Sequence, residues 1–476
     1  MSLPGNRFIE PVLEVLTRWV NALGLARWLD QRRLRYFIRL LPLRAIPFWI
    51  AALLTGLVAV GYERLFHSCE DIGQQIIREH PLWVFGLTPL AFVVSLWLVE
   101  RFAPAARGSG IPHLMAAVEI PPAQKGLIHK LLSLRIAFIK ILSSLMMLLG
   151  GGVIGREGPT LQISGSIFQW VYSKLPDFWP RVSQRVMLIT GGAAGLAAAF
   201  NTPLGGIVFA VEELTRTHIT HFRTSVLAAV IIAGMAAQTL LGPYLYLGFP
   251  KIGNPGLNHM PWVILFSGVA GILGAWVALV IQRIGRWKRL RWTSRRKYWG
   301  ALALGLAFAG ILYVFGADAA GTGKPLVNRL LFEPEVHMQW DILPVRIAGM
   351  ILSYSVGSAG GVFATSLSTG AILGEVLMQI LVLDDLSRNL LILSCMIGFL
   401  TGVTRSPFTA AILVLEMTDR HSAIFYFLLA GIAASSAALL VDKSSFYEQG
   451  KEGILQALGV DIQPPEGSST KADEDA

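Results

Sequence analysis

Long apolar runs separated by short polar or Gly/Pro-containing stretches dominate the chain. Runs at 45–62, 82–99, 136–154, 224–241, 261–281, 299–316 and 422–441 are each long enough, as helices, to cross about 30 Å of hydrocarbon. Between them lie apolar segments interrupted by Gly and Pro, at 108–118, 157–171, 188–200, 203–212, 361–377 and 407–416, most of them too short to span. A membrane tolerates broken helices only where their ends are buried in protein or line a cavity. The pattern therefore predicts an all-α integral membrane protein with many tilted and broken helices.

The broken segments repeat. Thr202-Pro203-Leu204 leads through an apolar stretch to Glu212, and Ser406-Pro407-Phe408 leads through another to Glu416, with the same Pro-to-Glu spacing. Upstream, Gly155-Arg156-Glu157-Gly158 has a Gly-rich counterpart in Gly360-Gly361-Val362-Phe363. The offsets are 204 residues (407 − 203) and 206 residues (363 − 157), so the halves keep register. Repeats with paired broken helices near the bilayer midplane are the sequence pointer to a transporter binding site. The expected organisation is a cytoplasmic amphipathic segment over 1–43 and a transmembrane body over 44–442, with repeats at approximately 44–220 and 260–442. A C-terminal helix over 443–460 and a polar, disordered cytoplasmic tail over 461–476 complete it.

Composition sharpens this. The 476 residues are 54% hydrophobic and 15% charged, against about 25% charged in soluble domains, and mean hydropathy is +0.57. The net charge of +10 is a matter of topology rather than of nucleic-acid affinity. Seven Arg lie in 18–44 and eight Lys/Arg in 283–297, flanking spans in the manner that marks cytoplasmic sides. Both stretches are thus expected to face the cytoplasm, and chain size points to a bacterial inner membrane. The N-terminal residues lack the pattern of a cleaved signal. Cys69 and Cys395 are far apart, without the spacing of a disulfide framework or a zinc site.

Three helix starts carry the candidate chemistry. In Gly108-Ser109-Gly110-Ile111-Pro112, Pro just inside a helix follows a polar cap. The glycines permit close backbone approach, and a helix N-terminus with a hydroxyl beside it suits an anion. Standing alone, the motif reads as a Gly-Pro loop capping an ordinary helix. Gly155-Arg156-Glu157-Gly158-Pro159 is a second start, with a carboxylate where the dipole would hold an anion. An intramembrane Glu points to function by default, although it could also be a charge stabilising its own helix. Ionised, Glu157 can occupy the anion's place; protonated, it can leave. Gly360-Gly361-Val362-Phe363-Ala364-Thr365 is a third start, able to bind an anion through backbone N–H groups alone.

In this order the motifs resemble those of the CLC family of chloride channels and chloride/proton antiporters, in its bacterial form without an appended cystathionine-synthase-like regulatory module. The motifs are GSGIP at 108–112, GREGP at 155–159, GGVFA at 360–364, the Phe-Asn-x-Pro-Leu-x-Gly run at 200–206 and Leu-Glu-Met-Thr-Asp at 415–419. The resemblance covers about 400 residues, to Tyr447. It implies a homodimer with one anion pathway per subunit, two inverted-topology repeats, both termini in the cytoplasm, chloride and protons as substrates, and no cofactor or metal. It also implies roles for residues. Ser109 and Tyr447 would donate hydroxyls to the anion, joined by backbone amides of Val362, Phe363 and the Arg156–Gly158 region. Glu157 would be the gate and Glu213 the internal proton-transfer group, an assignment that favours antiport over a passive channel. Glu213 could alternatively be a helix-end charge beside Glu212 and Arg216. Ser109 favours chloride over nitrate, and the fluoride-exporting branch departs from the patterns kept here. Thr365 and Ala359 replace prolines common in the family, and Lys140 falls at a position that looks structural.

Rival classes fare poorly. A protease using Ser109 as nucleophile needs a base, yet the nine His (67, 80, 113, 129, 218, 221, 259, 337 and 421) fall at polar ends or loops, with no HExxH motif. A non-transporting receptor would not need three anion-suited helix starts.

Overall fold

The computed structural model of the chain describes residues 31–180, 182–214, 224–242, 245–253, 256–333, 335, 338–381 and 388–460, with the side chains of 31–42, 224, 225 and 294 outside the description. Most of the predicted N-terminal amphipathic segment, the tail from 461 and Arg216 lie outside the described residues.

The elements are helical. In chain order they are α1 (Gln31–Glu79), α2 (Val84–Phe102), α3 (Ile111–Glu119), α4 (Leu134–Leu149), α5 (Glu157–Ser173), α6 (Gln184–Phe200), α7 (Pro203–Phe209) and α8 (Thr224–Leu241). There follow α9 (Met260–Arg291), α10 (Ser294–Phe315), α11 (Lys324–Phe332), α12 (Ile342–Ser355), α13 (Phe363–Leu381), α14 (Arg388–Thr404), α15 (Pro407–Thr418), α16 (Ile424–Ala438) and α17 (Phe446–Ala457). Among the described residues, seven helices are long and apolar enough to cross a membrane. Six coincide with predicted runs. The seventh is Phe363–Leu381, where the glycines of the shorter predicted segment serve helix packing and do not end the helix. The run at 136–154 stops being helical at Leu149, where three consecutive glycines, 150–152, release the chain toward Gly155. α1 passes unbroken through the boundary at 43/44.

The repeat seen in sequence is a repeat of helices. α5, α6 and α7 correspond to α13, α14 and α15, and each trio contains an antiparallel pair packed through glycine. A Cβ on Gly191 would meet Gly165 Cα at 3.2 Å, and one on Gly370 would meet Cys395 O at 2.6 Å. Small residues let helix backbones approach where lipid supplies no hydrophobic drive. The halves meet head to head. Gly155 and Gly361 pair as an antiparallel bridge, with Gly155 N donating to Gly361 O at 2.8 Å and Gly361 N to Gly155 O at 2.7 Å.

The Pro-to-Glu repeat has its own explanation. α7 and α15 lie antiparallel, and the carboxylate that ends each segment caps the start of the other. Glu212 accepts from Phe408 N (3.1 Å), Thr409 N (2.7 Å) and Thr409 Oγ1 (2.7 Å), while Glu416 accepts from Leu204 N (3.0 Å) and Gly205 N (2.6 Å). Each carboxylate thus satisfies N–H groups that a helix start leaves unpaired and sits at the favourable end of its partner's dipole.

α2 and α10 also run antiparallel. Phe85 meets Tyr313 at one end (5.7 Å between rings), and Lys297 Nζ pairs with Glu100 at the other (3.0 Å). A cavity lies at each of these ends. Gln74, Arg78 and Asp318 line a cavity of about 510 Å³ at the first. A larger cavity opens at the second.

Candidate functional site

Three loops are stitched together by backbone alone. Besides the Gly155–Gly361 bridge, Gly108 pairs in parallel with Ala359: Gly108 N donates to Ser358 O (2.8 Å), and Gly360 N to Gly108 O (3.1 Å). Side chains lock the loops to surrounding helices, with Ala359 N donating to Ser143 Oγ (3.1 Å), Val153 N to Ser353 Oγ (2.9 Å) and Ser109 N to the Tyr354 hydroxyl (2.9 Å). The first helical residues of α3, α5 and α13 (Ile111, Glu157 and Phe363) are therefore held as a group, each helix start carrying unpaired N–H donors and roughly half a positive charge.

The first start is capped by backbone rather than by the polar side chain the sequence suggested. Gly110 is the N-cap, at φ 94° with no side-chain cap bond, and Pro112 sits just inside. That conformation favours glycine, and space demands it too, since a Cβ would meet Gln162 Oε1 at 2.6 Å and Lys140 Nζ at 2.9 Å. With its cap role removed, the Ser109 hydroxyl is buried and makes no hydrogen bond. Gly158, on the facing start, is the only residue that fits there, because a side chain would strike Ser109 Oγ.

Glu157 opens α5 and is fully buried. Its Oε2 accepts from Ala364 N at 3.4 Å, so the carboxylate of one repeat lies across the helix start of the other. Its Oε1 has no hydrogen-bond partner. Arg156, the N-cap of α5, pairs its guanidinium with Glu63 on α1 and lies within electrostatic reach of the Glu157 carboxylate. Val362 and Phe363 supply the first N–H groups at the start of α13.

Tyr447, from α17, completes the cluster. Its ring stacks on that of Phe363 (6.1 Å between centroids, 12° between planes), and Phe200 and Phe209 approach Phe363 from the other side (6.2 and 6.5 Å). The Tyr447 hydroxyl is buried without a hydrogen-bond partner. The Ser109 hydroxyl faces it, and Tyr354, Glu157 and Glu213 lie within electrostatic reach. Buried polar atoms are nearly always hydrogen-bonded, so three unpartnered oxygens (Ser109 Oγ, Tyr447 Oη and Glu157 Oε1) in one cluster mark a place arranged for something other than packing.

Of the residues singled out in the sequence, Ser109, Gly110, Glu157, Gly158, Gly361, Val362, Phe363 and Tyr447 are brought together, with Gly108, Ile111, Pro112, Gly155 and Pro159 forming the loops and helix starts. Glu213 stands apart, in a widened helical turn over Ala210–Leu214, the kind of irregularity that recurs at functional sites. Its Oε1 accepts from Ser406 Oγ at 2.5 Å. Lys140 finds the carbonyl partners expected of a structural lysine, Gln162 Oε1 (2.6 Å) and Ala106 O (3.0 Å).

Sequence reading missed Glu63, Ser406 and Tyr354. Glu63 has a legible signal, an acid just past a predicted span. Tyr354 and Ser406 do not, because their roles depend on which segments meet.

The family model for "Voltage gated chloride channel" matches residues 90–439. The chain is similar to the H(+)/Cl(-) exchange transporter ClcA of Salmonella schwarzengrund, 30% identical over 457 residues covering 90% of this chain and 93% of that protein. ClcA of Salmonella arizonae is 29% identical over 421 residues, covering 84% and 86%. Among solved structures, the fold resembles a slow cyanobacterial Cl-/H+ antiporter (TM-score 0.75, 23% identity, 88% of this chain and 99% of that one). It also resembles a CLC-type fluoride/proton antiporter (TM-score 0.69, 19% identity, 86% and 98%).

Proposed function

This chain belongs to the voltage gated chloride channel (CLC) family, and from that premise we propose that it exchanges chloride for protons across the cell (inner) membrane as a secondary active transporter. The observation that carries the reading is the position of Glu157: its carboxylate rests on the N–H of Ala364 at the start of α13, beside the unpartnered hydroxyls of Ser109 and Tyr447. A chloride ion asks for the same donors that this carboxylate uses.

The mechanism follows from that competition. Dipoles and hydroxyls hold a halide moderately; a helix start contributes about 0.3–1 kcal/mol toward a neighbouring charge, whereas a fixed ammonium in a dry site would bind far more tightly and release slowly. Lys140, immediately behind Gly110, is committed to Gln162 and Ala106. Ionised Glu157 fills the donor cluster and closes it. Protonated, it no longer needs the dipoles and yields its place to chloride. One proton is thereby traded against anion entry at the same atoms. Protons reach the opposite side through Glu213, away from the anion route.

The remaining assignments belong to the same proposal. The transporter is a homodimer in lipid with both termini cytoplasmic, the basic stretch at 283–297 marking that face. Chloride and protons are substrates, neither cofactor nor metal takes part, and nucleic acid is no partner. The relatives named as H(+)/Cl(-) exchangers support exchange over passive conduction. Reversal potentials of purified protein in planar bilayers, under opposed chloride and pH gradients, test it. A potential set by both ions supports exchange; one set by chloride alone makes the protein a passive channel; absence of anion current refutes transport.

A further inference from the structure

The cavity at the Lys297 end of α10 is far larger than a halide requires. Its cavity has a volume of about 1120 Å³ and reaches from Gly108, Ser109 and Tyr354 outward to α9, α10 and α17. That is at or above the usual size of pockets that enclose organic molecules, roughly 300–1,000 Å³.

Its walls are of two kinds. Leu96, Ile281, Val356 and Ile454 give an apolar side. Six cations share the lining: Arg107, Lys130, Arg286, Lys288, Arg289 and Lys297. Three are already engaged. Arg107 and Lys297 share Glu100, while Lys288 donates to Ser355 O and lies over the Trp292 ring at 4.5 Å. Lys130, Arg286 and Arg289 make no hydrogen bond or ion pair among the described residues, and all three are exposed. The acids lining the cavity are Asp442 and Glu452, and Asp442 is occupied by Ser444 N and Gln449 Nε2, both at 3.0 Å.

A second observation points to a ligand. Four side-chain atoms on this lining are buried without a hydrogen-bond partner: Arg107 Nε, His113 Nδ1, Gln282 Oε1 and Ser355 Oγ. They belong to different elements and are buried, whereas Arg286 and Arg289 are exposed. A small anion passing through cannot engage donors spread over such a volume. A ligand with several anionic oxygens and an apolar body can, and arginine forks match phosphate geometry in particular.

We propose that this cavity binds an organic polyphosphate, and that its occupant stands in series with the anion site and stops transport from this side. Binding is inferred from the cavity alone; the block rests on the chloride-transport reading given above. The ligand's phosphates lie between Arg286, Arg289 and Lys130, and its body lies against the Ile281–Ile454 wall. A soluble nucleotide and a polyphosphate lipid headgroup share this chemistry.

The test uses full-length protein. Calorimetric titration in detergent with the non-hydrolysable nucleotide AMP-PNP measures binding without reference to transport. Parallel chloride-efflux assays, with AMP-PNP on the side bearing 283–297, measure block. In a third arm, chloride efflux is compared between vesicles of neutral lipid with and without cardiolipin. Arg286→Ala combined with Arg289→Ala removes two exposed cations of the lining. Arg291→Ala combined with Arg295→Ala removes two from the same stretch that do not line the cavity. We expect AMP-PNP to bind and block, with affinity falling about tenfold or more in the first variant and unchanged in the second. Block by cardiolipin alone, lost in the first variant only, assigns the site to a lipid headgroup. No binding or block by either probe overturns the proposal, as does an equal effect in both variants. Binding without block, in protein that transports chloride, refutes the plug. Binding in protein that transports no chloride refutes the transport reading and leaves the cavity assignment standing.

Discussion

Glu212→Gln and Glu416→Gln test whether the two halves are held by exchanged helix caps. Each substitution keeps the size of the side chain and replaces one acceptor oxygen by an NH2 group that faces an N–H donor. At Glu416, which accepts from Leu204 N and Gly205 N, one of two charge-assisted bonds is lost. Such a bond contributes about 1.5–3 kcal/mol. The favourable placement of a negative charge on the α7 dipole, about 0.3–1 kcal/mol, disappears as well. The single variant should therefore lose about 2–4 kcal/mol. Glu212 makes three such contacts with α15, so its loss should be at least as large. Because both carboxylates hold the same antiparallel pair, the double variant should cost less than the two single effects added together, as neighbouring sites do. Denaturant unfolding in detergent, followed by tryptophan fluorescence, measures all three against wild type. If both single variants fall within about 0.5 kcal/mol of wild type, the range of ordinary surface changes, the carboxylates are solvated helix-end charges and the reciprocal-cap explanation of the repeat is wrong.

Other expectations follow from the same structure. Ser406→Ala removes the 2.5 Å bond to Glu213 and should lower the proton flux while chloride flux persists; equal proton flux in the two proteins would show that Ser406 does not position Glu213. Gly158→Ala sets a methyl group against Ser109 Oγ and should weaken chloride binding, measured calorimetrically, by about tenfold or more, since a hydrogen bond to a charged group is worth about 1.5–3 kcal/mol; wild-type affinity would place the anion elsewhere. Lys140→Met strands Gln162 Oε1 and Ala106 O without polar partners from that side chain, and should lower stability by about 1–3 kcal/mol for each acceptor left buried, measured by the same unfolding assay.

What the sequence made legible, and what it hid, divides along physical lines. Six of the spans were visible because lipid-crossing length is a property of one segment at a time. The repeat was visible because Pro203 and Pro407 head matching motifs with the same spacing to Glu212 and Glu416. Its meaning was not, since the reciprocal capping by Glu212 and Glu416 exists only once α7 and α15 are antiparallel. The Gly-rich motifs announced the three helix starts, but not that Gly155 and Gly361 pair with each other, nor that Gly108 pairs with Ala359. At Gly110 the motif misled slightly: a polar residue before a helix suggests a side-chain cap, whereas the left-handed glycine takes that place and frees Ser109. Arg156 was legible as a source of backbone amide, but its pairing with Glu63 of α1 was not, because the two meet only in the fold. Ser406 and Tyr354 were beyond reach, because hydroxyl residues acquire such roles through tertiary contact alone.

The central claim is that Glu157 and chloride take turns at one set of donors. Simultaneous recording of proton and chloride flux from proteoliposomes, wild type against Glu157→Gln, tests it most directly. A neutral amide at this position cannot carry a proton, so the account predicts chloride efflux that continues while proton movement falls to the level of protein-free vesicles. Proton uptake still driven uphill by a chloride gradient in Glu157→Gln would contradict it.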